Sequence, residues 1–232
     1  MPEPARRQVL ITRPEPDAAE TARLVARLGW EPVIAPLLRI EPGMVEADGA
    51  FDAVLVTSRN AIAALPPRHR ATRLLAVGAA TAARAREAGW SDVLHADGDA
   101  AALAGLVRQT CAPGVRLLLA HGRGQGESLA AALRGSGFCV EARCAYASIP
   151  VDMFPAAAAA ALQGGRVRAA LFLSAETAAC FARLLPDQLR AALGGVEAMT
   201  IGKAAADELT PLPWRRVRVS VRPTLDHVLA LL

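Results

Sequence analysis

The sequence predicts an α/β protein made of two similar domains, each with a parallel sheet, and three observations support this prediction. Short apolar runs such as residues 9–11 are each followed by a small polar turn and a helical stretch, as in βα units with buried strands. These units recur in the two halves of the chain. The length of 232 residues suits one large or two small domains, and 53% hydrophobic residues are enough for packed cores.

The first repeated segment, segment A, combines a strand, a helix and a second strand. In its first copy we expect strands at 9–11 and around 33–34. The helix between them is predicted to begin at Asp17, with Asp17 as N-cap and Glu20 as its capping-box partner. Gly29 fits the end of this helix, where glycine adopts a left-handed backbone at little cost.

The second copy of segment A lies 108 residues further along the chain. Its strands are predicted at 117–119 and 139–146, with a helix between them that ends near Arg134. Two pairs of residues keep the same spacing, Gly29 with Gly137 and Pro42 with Pro150.

Two further segments are repeated, and each begins with an apolar run. In segment B, residues 51–58 resemble residues 167–174, and both lead into an alanine-rich helical stretch. In segment C, residues 74–78 resemble residues 198–202, again followed by a helix. The order A-B-C-A-B-C therefore predicts two domains of similar build.

The residues leave two positions open for the domain boundary. A division after the first A-B-C set would fall near residues 110–114. In the alternative, the first A segment joins the last B and C segments, so that one domain is discontinuous. The extended tails at 37–42 and 145–150 could cross between domains, which favours the second arrangement.

Charge and composition exclude several classes of function. The net charge is +4, and the 26 basic residues, all arginine except Lys203, are scattered, so a nucleic-acid-binding stripe is unsupported and a small anionic ligand is compatible. The four cysteines form no CxxC pair and have no histidine at metal-ligand spacing, which favours reduced thiols and no metal site. Residues 1–8 do not resemble a signal peptide, and no apolar run is long enough for a membrane span. We therefore expect a cytoplasmic protein.

Small or hydroxyl-bearing residues follow six of the predicted strands. Ligands of parallel α/β sheets bind at these turns, because the next helix offers free N–H groups and the positive end of its dipole. Four turns contain an arginine or a lysine, which suits a ligand rich in carboxylates or phosphates, although each residue type also caps helices and closes turns. The turns are Thr12-Arg13-Pro14, Thr57-Ser58-Arg59-Asn60, Gly78-Ala79-Ala80-Thr81, His121-Gly122-Arg123-Gly124, Ser174-Ala175-Glu176-Thr177 and Gly202-Lys203-Ala204-Ala205.

Cofactor and nucleophile motifs are weak. The glycine-rich run 122–126 follows a strand, but Glu127 stands where a dinucleotide-binding motif needs its last glycine. No Walker sequence and no Ser-His-Asp or Cys-His set can be assigned. Tyr146, the only tyrosine, ends a predicted strand beside an extended tail, where it could pack or place its hydroxyl on a ligand.

An ordered set of residues from about position 9 to the C-terminus resembles the uroporphyrinogen-III synthase family. Each motif is weakly specific, but their order and spacing make the resemblance more specific. They are Thr12-Arg13-Pro14, Thr57-Ser58-Arg59-Asn60, Val77-Gly78-Ala79-Ala80-Thr81-Ala82, Tyr146 with Pro150, Leu173-Ser174, Ile201-Gly202 and Ser220-Val221-Arg222-Pro223-Thr224.

The resemblance implies a fold and an activity. It implies two α/β domains joined by two extended linker strands, a discontinuous one of residues 1–37 with 150–232 and a continuous one of 38–149. The family's substrate is hydroxymethylbilane, a linear tetrapyrrole whose rings each carry an acetate and a propionate. It is closed to a macrocycle with loss of water and inversion of the last ring, and no cofactor is used. We accordingly expect a monomer with a tetrapyrrole substrate, no cofactor, and no nucleic-acid or membrane partner.

The resemblance also assigns residues. Tyr146 matches the family's tyrosine and is the candidate general acid. The candidate substrate-binding residues lie in the turns after the strands and are Thr12, Arg13, Ser58, Asn60, Gly78, Thr81, Gly122, Ser174, Gly202 and Lys203.

The sequence departs from the family pattern at two turns. The run Lys203-Ala204-Ala205 stands where the family commonly has one or two threonines, and Gly126 where it often has arginine. These departures keep open an alternative, a tetrapyrrole- or polycarboxylate-binding regulatory module without turnover. A periplasmic-type small-molecule binder is a third possibility, against which the missing signal peptide counts.

Overall fold

In the computed structural model, which describes residues 7–96 and 98–232, strands and helices alternate along much of the chain. Within these residues, three 3₁₀ helices occur at Arg59–Ala64, Pro67–His69 and Asp187–Gly195. The other elements, in chain order, are β1 (Gln8–Ile11), α1 (Asp17–Arg27), β2 (Glu31–Ile34), β3 (Leu38–Pro42), β4 (Ala53–Val56), β5 (Arg73–Ala76), α2 (Ala79–Glu87), β6 (Val93–His95), α3 (Ala100–Thr110), β7 (Arg116–Gly122), α4 (Glu127–Gly135), β8 (Cys139–Pro150), α5 (Ala156–Gln163), β9 (Val167–Phe172), α6 (Ala175–Leu184), β10 (Glu197–Thr200), α7 (Lys203–Leu209), β11 (Arg216–Val219) and α8 (Leu225–Leu229).

The chain divides into two compact units. One unit comprises the described residues up to Arg39 together with Ile149–Leu232, and the other comprises Ile40–Ser148. The divisions fall within β3 and within β8. We call the first of these two units the discontinuous unit and the second the continuous unit.

The discontinuous unit contains a five-stranded sheet in the order β11-β10-β9-β1-β2, in which every neighbouring pair is parallel. Leu10 on β1 lies opposite Val33 on one side and Ala170 on the other. On one face Phe172 and Phe181 contact edge to face, with ring centres 5.2 Å apart. Both side chains are fully buried, so this aromatic pair forms part of the core.

The continuous unit contains a six-stranded sheet in the order β3-β8-β7-β4-β5-β6, whose pairs from β8 to β6 are parallel. Alternate residues of the central strands β7, β4 and β5 enter different cores. Val54 and Val56 belong to one hydrophobic cluster, and Ala53 and Leu55 belong to another. Since both faces of β4 are covered by a hydrophobic cluster, its sequence is a continuous apolar run rather than an alternating one.

The repeated segments take the same order in both sheets. In the discontinuous unit, β1 and β2 of the first A segment lie beside β9 and β10 of the last B and C segments. In the continuous unit, β7 and β8 of the second A segment lie beside β4 and β5 of the first B and C segments. The predicted class, α/β with parallel sheets, is confirmed, and so are the left-handed glycines after the helices of segment A, with φ of 84° at Gly29 and 87° at Gly137.

The helical stretch predicted after Ser58 is present as a 3₁₀ helix at Arg59–Ala64. Leu65 precedes Pro66 and has an extended backbone with ψ of 130°. A proline disfavours the α conformation in the residue before it, so the helix cannot extend further. In the other B segment a Leu-Pro pair also follows the helix, but Pro186 comes twelve residues after Ser174, whereas Pro66 comes eight residues after Ser58, so the α-helix α6 has room for ten residues.

The predicted N-cap at Asp17 is wrong. Pro16 occupies the N-cap position, and it provides no side-chain hydrogen bond. Instead the Glu15 carboxylate accepts a hydrogen bond from the backbone N–H of Ala19, at 3.1 Å. Asp17 is the first helical residue and forms an ion pair with Arg13. Among the described helices, none has the length and apolar character needed to cross a membrane.

Candidate functional site

The turns that follow the central strands gather at the carboxyl edge of each sheet. In the continuous unit, neighbouring strands β7, β4 and β5 lead into Gly122, Ser58 and Gly78. In the discontinuous unit, neighbouring strands β1, β9 and β10 lead into Thr12, Ser174 and Gly202. Since neighbouring strands are parallel, the predicted residues form two groups, one at each carboxyl edge.

The two serine turns are closed by their own side chains. The hydroxyl of Ser58 accepts a hydrogen bond from the N–H of Asn60 at 3.2 Å, and that of Ser174 accepts one from the N–H of Thr177 at 3.1 Å. The Ser174 hydroxyl also lies 2.7 Å from the hydroxyl of Thr177. Both serines therefore cap helices, and this use occupies the first-turn N–H groups that they contact.

The two glycine turns differ from the serine turns in having no side-chain cap. Gly78 precedes α2 and Gly202 precedes α7, and both have extended backbones with φ of −167° and −175°. The first N–H groups of a helix lack intrahelical acceptors, and the helix dipole favours an anion there. These N–H groups can therefore bind carboxylates. Thr81, in the first turn of α2, is 6% exposed.

The side chains of Thr12 and Arg13 are engaged within the discontinuous unit. The hydroxyl of Thr12, which is buried, donates to the carbonyl oxygen of Leu171 at 2.6 Å and so links β1 to β9. Arg13 forms an ion pair with Asp17, and its Nη1 atom donates to the hydroxyl of Thr21 at 3.2 Å. Both side chains stabilise the end of β1 in this structure.

Tyr146 lies on β8 with its ring against the last residue of β7. Only 5% of its surface is exposed. A Cβ atom placed on Gly122 would lie 2.8 Å from Cζ and 2.9 Å from the hydroxyl oxygen of Tyr146, closer than side chains approach. The N–H of Arg123 donates to the carbonyl oxygen of Tyr146 at 2.8 Å. The phenol thus occupies the space that the missing side chain of Gly122 leaves.

A family model decides the identity of this chain. The model for "Uroporphyrinogen-III synthase HemD" matches residues 19–230, nearly the whole sequence. The chain belongs to the uroporphyrinogen-III synthase family. The resemblance stated from the sequence motifs is confirmed.

Solved structures of the family show the same fold. The crystal structure of uroporphyrinogen-III synthetase from Helicobacter pylori matches with a TM-score of 0.63 at 15% identity, over 97% of each chain. A mutant uroporphyrinogen III synthase from the extremely thermophilic bacterium Thermus thermophilus matches with a TM-score of 0.50 at 23% identity, over 97% of this chain and 96% of that one. A search of curated proteins gave no significant match.

Gly126, a departure from the family pattern, is explained by the local backbone. Its φ is +84°, a left-handed conformation that favours glycine. A Cβ atom there would lie 2.6 Å from Cγ and 2.7 Å from Cβ of His121, whose Nδ1 lies 2.8 Å from the carbonyl oxygen of Gly122. In this turn the His121 ring therefore takes the place of any side chain at position 126, including the family's arginine.

Lys203, the other departure, is an exposed residue at the start of α7. Its Nζ lies 2.7 Å from each carboxylate oxygen of Asp207, four residues further along the helix. Such exposed ion pairs contribute little to stability, because water screens them. A carboxylate of a ligand could therefore replace Asp207 as the partner of Lys203 at small cost.

Proposed function

We propose that this family member is a uroporphyrinogen-III synthase, a lyase that acts on hydroxymethylbilane. The family model over residues 19–230 is the observation that carries this proposal. We further infer that the enzyme is a cytoplasmic monomer that works without a cofactor.

The reaction begins when the terminal hydroxyl group of the substrate leaves as water after receiving a proton. The remaining azafulvene-like carbon is electrophilic, and the substituted carbon of the last ring attacks it to form a spiro intermediate. This intermediate fragments and recloses with the last ring inverted, and the ring carbon that forms the final bond loses a proton. One water is released, and no electrons are transferred to or from the substrate.

The contribution of the protein is mainly orientation. Attack by the substituted carbon must be faster than simple closure of the chain, so the flexible substrate has to be held in one shape. We infer that the first-turn N–H groups of α2 and α7, together with Lys203, bind acetate and propionate groups. The extended, uncapped backbones at Gly78 and Gly202 support this assignment. The turn residues Thr12, Arg13, Ser58, Asn60, Thr81, Gly122 and Ser174 remain candidates for substrate contact.

Tyr146 is our candidate general acid for the departure of the hydroxyl group. Its phenol is a proton donor, and it lies next to the turn after β7, at the carboxyl edge of the sheet. A positioned proton donor helps because hydroxide is a poor leaving group and water is a good one.

The product isomer tests the proposed function. The purified chain is supplied with hydroxymethylbilane, which a separate enzyme generates in the same vessel. The uroporphyrinogen isomers are then separated by chromatography. We expect isomer III to dominate, whereas the protein-free control gives isomer I. The same isomer ratio in both samples would contradict the proposal and support a binding module without turnover.

Gly78→Ser is expected to raise KM about tenfold, because the substrate would lose one hydrogen bond to a charged group. The new hydroxyl would accept a hydrogen bond from a first-turn N–H group of α2, as the hydroxyls of Ser58 and Ser174 do in the helices that follow them. It would therefore compete with a substrate carboxylate for that N–H group. The free energy of unfolding should increase by a few tenths of a kcal/mol, because serine is a slightly better N-cap than glycine. Initial rates and thermal unfolding measure the two effects.

Gly78→Ala is the matched control for this variant. A Cβ atom at position 78 has room, since its nearest neighbour would be the carbonyl oxygen of Ala96 at 3.8 Å. Alanine adds that atom without a hydrogen-bond acceptor, so its KM should rise less than that of the serine variant. Equal KM values for the two variants would mean that these N–H groups do not bind the substrate.

A further inference from the structure

The hydroxyl group of Tyr146 has a side-chain neighbour in the turn after β7. It donates to Oε1 of Gln125, with 3.5 Å between the two oxygen atoms. An ordinary O–H···O hydrogen bond is shorter, at about 2.5–3.0 Å, so this contact is loose. A loose contact orients the hydroxyl and still lets it turn to a stronger acceptor.

The backbone of the turn brings the amide of Gln125 and the phenol together. The N–H of Gln125 donates to the carbonyl oxygen of Gly122 at 2.9 Å, and the N–H of Arg123 donates to the carbonyl oxygen of Tyr146 at 2.8 Å. A Cβ atom on Gly122 would lie 3.1 Å from Oε1 of Gln125, as well as against the phenol. The phenol and the amide therefore meet in one small space, which glycine leaves open.

A glutamine amide can serve both protonation states of a phenol. Its oxygen accepts a hydrogen bond from the neutral phenol, and after rotation its NH₂ group donates one to a phenolate. A carboxylate at the same place could accept from the phenol but would repel the phenolate. An aliphatic side chain could do neither.

We propose that Gln125 is a positioning residue for Tyr146 in the reaction proposed above, on which this inference rests. In the resting protein its Oε1 accepts a hydrogen bond from the phenol. When the phenol transfers that proton to the departing hydroxyl group, water leaves and the Gln125 NH₂ group stabilises the phenolate. The proton lost by the ring carbon at the final closure returns to the phenolate and restores the starting state.

The test uses the fact that Tyr146 is the only tyrosine in the chain. The ultraviolet difference absorbance of the phenolate, followed against pH, therefore reports on this one side chain without interference from another phenol. The titratable or charged residues next to Tyr146 on β8, at the end of β7 and in the turn, Cys144, His121 and Arg123, are the same in every variant compared.

Gln125→Glu is expected to move the midpoint of the phenolate titration upward by about one pH unit or more, because the added negative charge disfavours the phenolate. Gln109→Glu is the matched control, since it makes the same change at an exposed position of α3 in the same unit. Its midpoint should equal that of the unsubstituted chain. An unchanged midpoint in Gln125→Glu, or the same shift in Gln109→Glu, would overturn the proposal.

The activity of Gln125→Leu completes the test. We expect kcat to fall several-fold with little change in KM, because the substrate is held elsewhere while the phenol loses its partner. An unchanged kcat would overturn the positioning role. If the unsubstituted chain gives no excess of isomer III while the Gln125→Glu midpoint still moves, the proposed function is wrong and the contact between Gln125 and Tyr146 is supported. If isomer III forms and the midpoint does not move, only the positioning role of Gln125 is wrong.

Discussion

Tyr146→Phe is expected to lower kcat about 100-fold without abolishing turnover. This is the lower end of what a positioned general acid contributes. Orientation of the substrate, which supplies most of the acceleration in the proposed reaction, remains intact in this variant. A stopped-time assay of isomer III at saturating substrate measures kcat, and KM should change little.

The fold of the Tyr146→Phe variant should be preserved, which makes its kinetics interpretable. The substitution removes one oxygen whose hydrogen bond to Gln125 is 3.5 Å long, so the free energy of unfolding should fall by less than about 1 kcal/mol. Chemical denaturation measures this change. A variant that is stable and as fast as the unsubstituted chain would exclude Tyr146 as the general acid.

Gly126→Ala is expected to destabilise the protein by about 3 kcal/mol. Two costs add at this position. A left-handed backbone costs an L-residue about 1–2 kcal/mol, and overpacking costs about 1–3 kcal/mol. The second cost arises because the new Cβ would lie 2.6 Å from Cγ of His121. The midpoint of urea unfolding, followed by circular dichroism, measures the loss.

Gly124→Ala separates the two costs of Gly126→Ala. Gly124 also has a positive φ, +73°, but no atom would lie within 4 Å of a Cβ atom there. It should therefore lose only the backbone cost of about 1–2 kcal/mol. If both variants lose the same amount, the contact of position 126 with His121 does not constrain the turn.

The strands were the most predictable part of the fold. A strand such as β4 is buried on both faces, so its apolar run is unbroken in the sequence and easy to recognise. β11 is different, because it is an edge strand with alternating arginines, and its residues are half-buried or exposed. We did not predict β11, since its apolar pattern is too weak to distinguish it from a loop.

Helix ends were less predictable than strands. At Ser58 the cap was recognisable, but the position where the helix ends depends on the prolines at 66 and 67, since Leu65 before them is extended. At Asp17 the spacing to Glu20 suggested a capping box, yet Glu15 reaches the first turn instead. Several side chains compete for the same few N–H groups, and only their positions in space decide between them.

The candidate site was predictable as a set of turns, but the partners of its side chains were not. The spacing of Lys203 and Asp207 is that of a helical ion pair, a signal that the sequence contained and that we did not use. The contact of Gln125 with Tyr146 joins the turn before α4 to β8, so no local pattern reveals it. Gln125 was visible only as one residue within a glycine-rich run.

The exchange of segments between the sheets has a consequence for synthesis on the ribosome. The strands of the continuous unit's sheet all lie between Leu38 and Pro150, whereas β1 pairs with β9, which begins at Val167. At about 5–20 residues per second, Val167 is made on the order of ten seconds after Ile34. During that interval the interior strand β1 lacks its neighbour β9, and its apolar side chains lack their core. The amino-terminal strands are thus made first but must be among the last to complete their packing.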